Sequence, residues 1–95
     1  KNEGINLGWI ISECKAGKVN MSDFRQTIHY ATVAEAYVAY LFYHEDISRE
    51  VLEAINTGGH LYNGMNKWGK TVKKRLVFVR YKNNRFTKTS FNQEE

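Results

Sequence analysis

The chain has no proline, a single cysteine and no hydrophobic run long enough to cross a membrane. One cysteine, Cys14, excludes an internal disulfide framework and fits a reducing compartment. The longest apolar run, Val33–Tyr43, is interrupted by Glu35 and is far shorter than the ~20 residues of a membrane span. No signal peptide is evident at the start. We therefore expect a cytoplasmic protein without a membrane partner.

Acidic residues are also missing from most of the second half. Residues 1–53 carry five Lys or Arg and eight Asp or Glu, whereas residues 54–93 carry nine Lys or Arg and no acidic residue. The formal net charge of the whole chain is +4. Such a separation of charge attracts a polyanion or an acidic protein surface, unless the two halves neutralise each other within the fold.

What the chain does contain is enough apolar material for one small domain. Its 95 residues are 42% hydrophobic, including 14% that are aromatic, which is too apolar for a disordered chain. The length is that of a single domain. We expect one α+β domain over residues 1–86 and a mobile C-terminal tail over residues 87–95.

The first third of the chain predicts a β-hairpin. Apolar residues alternate along Ile5–Cys14 with the period of a half-buried strand. After a Gly-containing turn, Val19–Tyr30 reads as the returning strand. Pairing in that register places Trp9 opposite Phe24 on one face, a favourable cross-strand contact.

A helix is predicted to follow. Thr32 and Glu35 have the spacing of a capping box, which predicts a helix that continues through residues 36–45. This helix carries more apolar surface than one sheet can cover. Because tyrosine is enriched at interfaces, a self-association face for a homodimer is proposed at Tyr37, Tyr40 and Tyr43.

A second helix is predicted to begin after Ser48 and to end at Gly58. Residues 60–70 carry several Gly and Asn turn signals and read as a loop. A last strand is expected over Val72–Tyr81, with apolar residues on both faces. Together the elements predict an antiparallel sheet of three or more strands with two helices on one face, in the order ββααβ. The alternative is a helix-mediated dimer with the sheets outside.

The candidate binding surface is the basic C-terminal part. Phosphate groups need cations and unpaired bases need flat rings to stack on, and this segment contains both. The alternative is an ordinary strand that uses lysines to stay soluble. The candidate residues for binding nucleic acid or a protein partner are Lys67, Lys70, Lys73, Lys74, Arg75, Arg80, Lys82, Arg85, Tyr62 and Trp68.

Catalytic and metal chemistry find little support in the sequence. His29, His44 and His60 are scattered and lack the spacing of metal ligands. The Gly69–Thr71 stretch lacks the upstream glycine of a phosphate-binding loop. We expect no catalytic residue, no metal site and no cofactor, and hence a protein that is not an enzyme.

Residues 28–43, IHYATVAEAYVAYLFY, resemble a segment of many small accessory proteins of bacteriophages and other mobile elements. In those proteins a strand ends in an aromatic residue, and a capped turn then leads into a helix that begins with Glu-Ala. Tyr30, Thr32 and Glu35-Ala36 stand in those places. The resemblance implies a non-enzymatic protein that binds host or phage machinery, including inhibitors of host transcription or of CRISPR effector complexes.

Two functions are left open by the sequence. The first is a module that binds nucleic acid or a nucleoprotein complex through the basic segment. The second is a small inhibitor or adaptor that binds an acidic or nucleic-acid-binding surface of a host protein, through the same segment or through the tyrosines.

Overall fold

A computed structural model describes residues 9–89, and over that range the chain forms two α-helices and six β-strands. In chain order these are β1 (Ile10–Lys15), α1 (Met21–Ala34), β2 (Val38–Tyr43), α2 (Arg49–Asn56), β3 (Leu61–Met65), β4 (Thr71–Arg75), β5 (Val77–Lys82) and β6 (Arg85–Lys88). The α+β class is the one that the sequence predicts. The order of elements is βαβαββββ, so the predicted order ββααβ is wrong.

The main sheet is mixed and has the strand order β1-β2-β5-β6. Strand β2 pairs in parallel with both β1 and β5, whereas β5 and β6 form an antiparallel hairpin. Strands β3 and β4 form a separate antiparallel ribbon. The prediction of antiparallel pairing is therefore wrong for β1, β2 and β5, which run parallel to one another. Parallel neighbours need a long crossover connection, and α1 supplies the one between β1 and β2.

The core lies on one face of the main sheet. Leu41 of β2 and Phe78 of β5 are neighbours across the parallel ladder and are both buried. Phe24 of α1 stacks on Phe78 with 6.2 Å between ring centroids. Val51 and Ile55 of α2 belong to the same buried cluster. Residues from both helices thus cover this face of the sheet, and the face opposite receives none of these side chains.

The β3–β4 ribbon packs beside α1 at an unusually close approach. The Tyr62 hydroxyl donates to the carbonyl oxygen of Ala36 at 3.2 Å, and the Met65 amide donates to the same oxygen at 3.4 Å. A Cβ atom at Gly64 would collide with that oxygen. Only glycine lets the ribbon backbone come this near.

Helix α1 replaces the predicted strand Val19–Tyr30. The Asp23 amide donates to Oδ1 of Asn20 at 2.9 Å, and the Asn20 amide donates to Oδ2 of Asp23 at 3.3 Å. This reciprocal pair is a capping box that starts the helix. Its buried positions recur at helical spacing: Phe24, Thr27 and Ala31. The first predicted strand agrees with β1 over Ile10–Cys14, and its residues 5–8 lie outside the described range.

Strand β2 replaces the predicted helix over residues 36–45. The backbone of Glu35 adopts a left-handed conformation with φ of 50°, and its amide donates to the Thr32 carbonyl at 3.1 Å, so α1 ends here. The sequence VAYLFY that follows alternates between half-buried and buried positions, as β-branched and aromatic residues do in a strand. Tyr40 and Tyr43 therefore project to opposite faces, so the prediction that the tyrosines share one helical face is wrong, and self-association stays a prediction.

Helix α2 confirms the second predicted helix. Oγ of Ser48 accepts a hydrogen bond from the Val51 amide at 3.3 Å, as expected of a capping residue. Just beyond the helix, Gly58 has a positive φ of 84°, which glycine adopts at little cost. The predicted loop over residues 60–70 is wrong at its start, where Leu61–Met65 form β3.

The predicted strand Val72–Tyr81 is divided between two sheets. It breaks at Leu76, whose amide donates to the carbonyl oxygen of His60 at 2.9 Å. Strand β4 lies before the break in the ribbon, and β5 lies after it in the main sheet. In the predicted tail, residues 87 and 88 belong to β6 and the Thr89 amide donates to Phe78. Residues 90–95 lie outside the described range.

Candidate nucleic-acid interface

The face of the main sheet opposite the helices carries four aromatic side chains in a row. Tyr40 and Phe42 are two residues apart on β2 and therefore project to the same face. Tyr81 of β5 and Phe86 of β6 lie opposite each other in the hairpin. The ring centroids are 5.6 Å apart for Tyr40 and Phe42, 5.7 Å for Phe42 and Phe86, and 4.9 Å for Phe86 and Tyr81. We call these four residues the aromatic row.

The aromatic row is open at its outer end. Phe86 is 67% exposed and Tyr81 is 38% exposed, while Tyr40 and Phe42 are half-buried. The side chains of the helices that enter the core do so from the opposite face. Large exposed rings grouped in this way mark an interaction surface more often than isolated exposed residues do.

An apolar groove of about 630 Å³ borders the row at the carboxyl end of β1. Its walls include Cys14, Phe42, Tyr81 and Phe86. At its rim Nδ1 of His44 donates to the carbonyl oxygen of Tyr81 at 2.9 Å. This bond links the segment after β2 to β5, beside both the aromatic row and the groove.

The β5–β6 hairpin presents its rings on one face and three of its four cations on the other. Asn83 and Asn84 connect the strands with φ of 55° and 60°, the conformation of a two-residue type I′ turn. Because side chains alternate along a strand, Arg80, Lys82 and Arg85 project to the face opposite Tyr81 and Phe86. The cations line an open cleft of about 700 Å³. We call this the basic cleft; its lining residues are Tyr43, Arg80, Lys82, Asn83, Arg85, Thr87 and Thr89.

The remaining candidate cations lie on or beside the ribbon. Lys73 and Arg75 are exposed on its outer side. Nζ of Lys74 lies 4.4 Å from the centroid of Tyr37. In the turn between β3 and β4, Nζ of Lys67 lies 4.8 Å from the centroid of Trp68, and Lys70 is exposed. The structure thus separates the predicted basic surface into a ribbon group and a hairpin group.

Two tyrosines among the predicted site residues are not accessible: Tyr62, predicted as a stacking ring, and Tyr43, predicted as a self-association residue. Tyr62 is only 3% exposed, and burial raises the pKa of its phenol. Tyr43 is buried as well, and its hydroxyl shares a hydrogen bond with the Thr89 hydroxyl at 2.7 Å. Trp68, by contrast, is 73% exposed and is available to a ligand. The selection of Tyr62 as a stacking ring is therefore wrong.

Sequence reasoning missed Phe42 and Phe86 as members of the candidate site. The sequence predicts a helix at Phe42, and Phe86, the last residue of the predicted domain, is not among the predicted binding residues. A signal for both was present in the period-2 alternation of VAYLFY and in the Asn83-Asn84 turn before Phe86.

The cations of the hairpin are not neutralised within the described range. Among residues 9–89, no carboxylate forms an ion pair with Lys82, Arg85 or Lys88. An ion pair at 3.2 Å joins Lys15 and Asp23 instead, within the acidic first half. The hairpin therefore keeps its positive charge available to a ligand.

Other kinds of site were sought in the same residues. No group of three His, Cys, Asp or Glu within residues 9–89 could hold a metal ion. Neither helix in that range combines the length and apolarity needed to cross a bilayer. His29 lies beside Tyr30 on an exposed part of α1, and His60 is buried before β3. The prediction that the protein is not an enzyme stays a prediction.

Comparison of the chain with protein-family models, with curated proteins and with solved structures gives no match. The resemblance to phage accessory proteins stays a prediction, and the functional conclusion depends on the geometry of the sheet.

Proposed function

We propose that the protein binds single-stranded nucleic acid, with unpaired bases stacked on the aromatic row. The observation that carries the proposal is the continuous line of rings, 4.9–5.7 Å apart, on a sheet face that the helices leave open. Bases of any sequence have flat faces, and stacking on aromatic side chains is a sequence-tolerant way to bind them.

The shape of the site favours a single strand over a duplex. In a duplex the bases are already stacked on one another, and only their edges are accessible in the grooves. Exposed rings on a sheet surface suit bases that are splayed out of a strand. Within the described range the row is formed by strands alone, with no helix on that face that could enter a duplex groove.

Charge supports the same ligand. The chain has a pI of about 9.3, and residues 54–93 contain no acidic residue. Lys88 projects from β6 to the same face as Phe86, and Lys82 and Arg85 flank the hairpin turn. Phosphates that connect stacked bases would meet the Lys88 side chain at the edge of the sheet. Lys67 and Trp68 in the ribbon turn offer a second cation-and-ring contact for a longer strand.

The proposal is tested by titrating labelled single-stranded and double-stranded oligonucleotides at two salt concentrations. We expect micromolar or tighter binding of the single strand, weaker binding of the duplex, and a loss of affinity as salt increases. Failure to bind any single strand at low salt would refute the proposal. Equal affinity for duplex and single strand would refute the role of stacking.

The second candidate function is that of an inhibitor or adaptor that docks the same face on a host protein. It is favoured by Ile10, which is 59% exposed at the start of β1 and projects to the same face as Tyr40 and Phe42. β1 is also an edge strand of the sheet, with hydrogen-bonding groups available to a partner. A protein ligand predicts a specific complex that survives nuclease treatment, whereas a nucleic-acid ligand predicts that nuclease removes it.

A further inference from the structure

We infer that the basic cleft is a binding site for a phosphate monoester, distinct from the aromatic row on the other face of the hairpin. The two sites share β5 and β6, but alternate side chains serve each of them. The inference does not rest on the proposed function, because a free nucleotide and the terminal phosphate of a nucleic acid present the same chemical group.

The lining of the cleft is suited to an anion with more than one negative charge. Arg80, Lys82 and Arg85 contribute three positive charges, and no carboxylate of residues 9–89 lines the cleft. Thr87 and Thr89 add hydroxyl groups that can donate to phosphate oxygens. A monoester carries about −1.5 to −2 charges at neutral pH, against one for each backbone phosphodiester. Three clustered cations are better matched by the monoester.

Arg80 is the half-buried cation of the cleft, and Lys82 and Arg85 are exposed. Nε of Arg80 is buried, yet it has no hydrogen-bond partner. An arginine fork binds phosphate oxygens through paired N–H donors. A phosphate in the cleft would accept hydrogen bonds from this guanidinium.

The walls of the cleft are held in place by contacts that involve no ligand. The Thr89 amide donates to the carbonyl oxygen of Phe78, and the Thr89 hydroxyl is bonded to Tyr43. The tight turn at Asn83 and Asn84 fixes the register of the opposite wall. A preorganised site needs less ordering on binding and therefore keeps more of its interaction energy as affinity.

The geometry also separates the cleft from the row in what each can bind. A nucleotide whose base stacks on Phe86 lies on the outer face of β6, whereas the cleft opens on the inner face. One phosphate cannot occupy both. The occupant of the cleft is therefore a chain end that passes around the β6 edge, or a separate small molecule with a phosphate monoester.

The test is a titration of backbone amide NMR signals with inorganic phosphate at constant ionic strength, set by chloride. We expect saturable shifts at Arg80, Lys82 and Thr87. In the double variant Lys82→Gln/Arg85→Gln the affinity should fall roughly tenfold or more, since two charge-assisted contacts are lost. The control is Lys18→Gln/Arg25→Gln, which removes the same charge at exposed positions on the α1 side and should bind phosphate as the wild type does.

Shifts that do not saturate, or an equal loss of affinity in the control, would overturn the inference, because either result means general attraction by net charge. Two further arms identify the source. Tighter binding of a 5′-phosphorylated oligonucleotide than of its 5′-hydroxyl counterpart assigns the cleft to a chain end. Equal binding of the two oligonucleotides with saturable binding of adenosine monophosphate assigns it to a free nucleotide.

The variant Phe86→Ala separates this inference from the proposed function. It should weaken binding of single strands and leave the phosphate-induced shifts unchanged. Phosphate binding without any binding of single strands would uphold the cleft and refute the stacking surface. The converse result would uphold the stacking surface alone.

Discussion

Gly64 lies where the ribbon backbone contacts the carbonyl oxygen of Ala36, with the Tyr62 ring and the Lys74 side chain close on either side. We expect Gly64→Ala to lower the free energy of unfolding by about 1–3 kcal/mol, because the added methyl group forces backbone to move. Gly17 has open space around the position of a Cβ atom, and Gly17→Ala should change stability by less than about 0.5 kcal/mol. Urea unfolding of both variants measures the difference; equal stabilities would contradict the close approach.

Tyr62 makes stability depend on alkaline pH. Burial raises the pKa of its phenol above the ordinary value of about 10. The folded state therefore retains the proton at a pH where the unfolded state has lost it. The stabilisation is fully present below pH about 10 and is lost as the pH rises through the raised pKa of the folded state.

The variant Tyr62→Phe should remove this part of the pH dependence. At neutral pH it should cost about 1 kcal/mol, because the hydrogen bond to Ala36 is lost. Urea unfolding of the wild type and the variant between neutral and alkaline pH tests both statements. If the difference in stability between the two proteins stayed constant above pH about 10, the buried state of the phenol would be contradicted.

At the scale of elements, two capping patterns compete for the start of the first helix. The structure places the start at Asn20 and makes Thr32 part of the last turn of α1. We expect Asn20→Ala to destabilise the protein by about 1 kcal/mol. Thr32→Ala should leave stability unchanged or raise it slightly, because its side chain is exposed and alanine has the higher helix propensity. Thermal unfolding that ranks the two variants in the opposite order would contradict the helix boundaries.

This competition explains how much of the fold the sequence could predict. Ser48 and Gly58 identify α2 because the residues at both of its ends act locally. Thr32 and Glu35 have an equally regular local pattern, yet they lie at the C-terminal end of a helix that begins at Met21. The choice between the patterns depends on the parallel pairing of β1 with β2, a contact between residues far apart in the chain. Local patterns carry no information on such a contact.

The candidate site was predictable to the extent that it depends on composition. The positive charge of the last third is visible without any structure, and Arg80, Lys82 and Arg85 were found for that reason. Which side of the sheet a ring occupies depends on secondary structure. Because the sequence predicts a helix over Tyr40 and Phe42, it gives no indication that their rings align with the ring of Phe86. The sequence therefore identifies the cations of the candidate site but not most of its aromatic side chains.

At the scale of the whole molecule, the mixed sheet separates three surfaces. The helices pack on one face, the aromatic row lies on the other, and the basic cleft lies at the β5–β6 hairpin on the side opposite its rings. Lys88 lies on the side of the rings, so it is the cation of β6 best placed for the backbone of a stacked strand. We expect Lys88→Gln to weaken binding of every single-stranded sequence alike and to reduce the slope of log affinity against log salt by about 0.7–1.

The control for that prediction is Lys18→Gln, which removes the same charge from an exposed position between β1 and α1. Its salt slope should match that of the wild type. Identical slopes for Lys88→Gln and Lys18→Gln would show that the affinity follows net charge and not the position of the cation on the ring side of the sheet.

The most direct measurement compares Phe86→Ala with Val33→Ala in fluorescence anisotropy titrations of a labelled single-stranded oligonucleotide. Both side chains are about equally exposed, at 67% and 70%, but Val33 lies on α1, away from the aromatic row. Loss of one stacking contact should weaken binding by Phe86→Ala roughly 5- to 150-fold and leave Val33→Ala like the wild type. Equal affinities for the two variants would contradict the account that unpaired bases stack on the open face of the sheet.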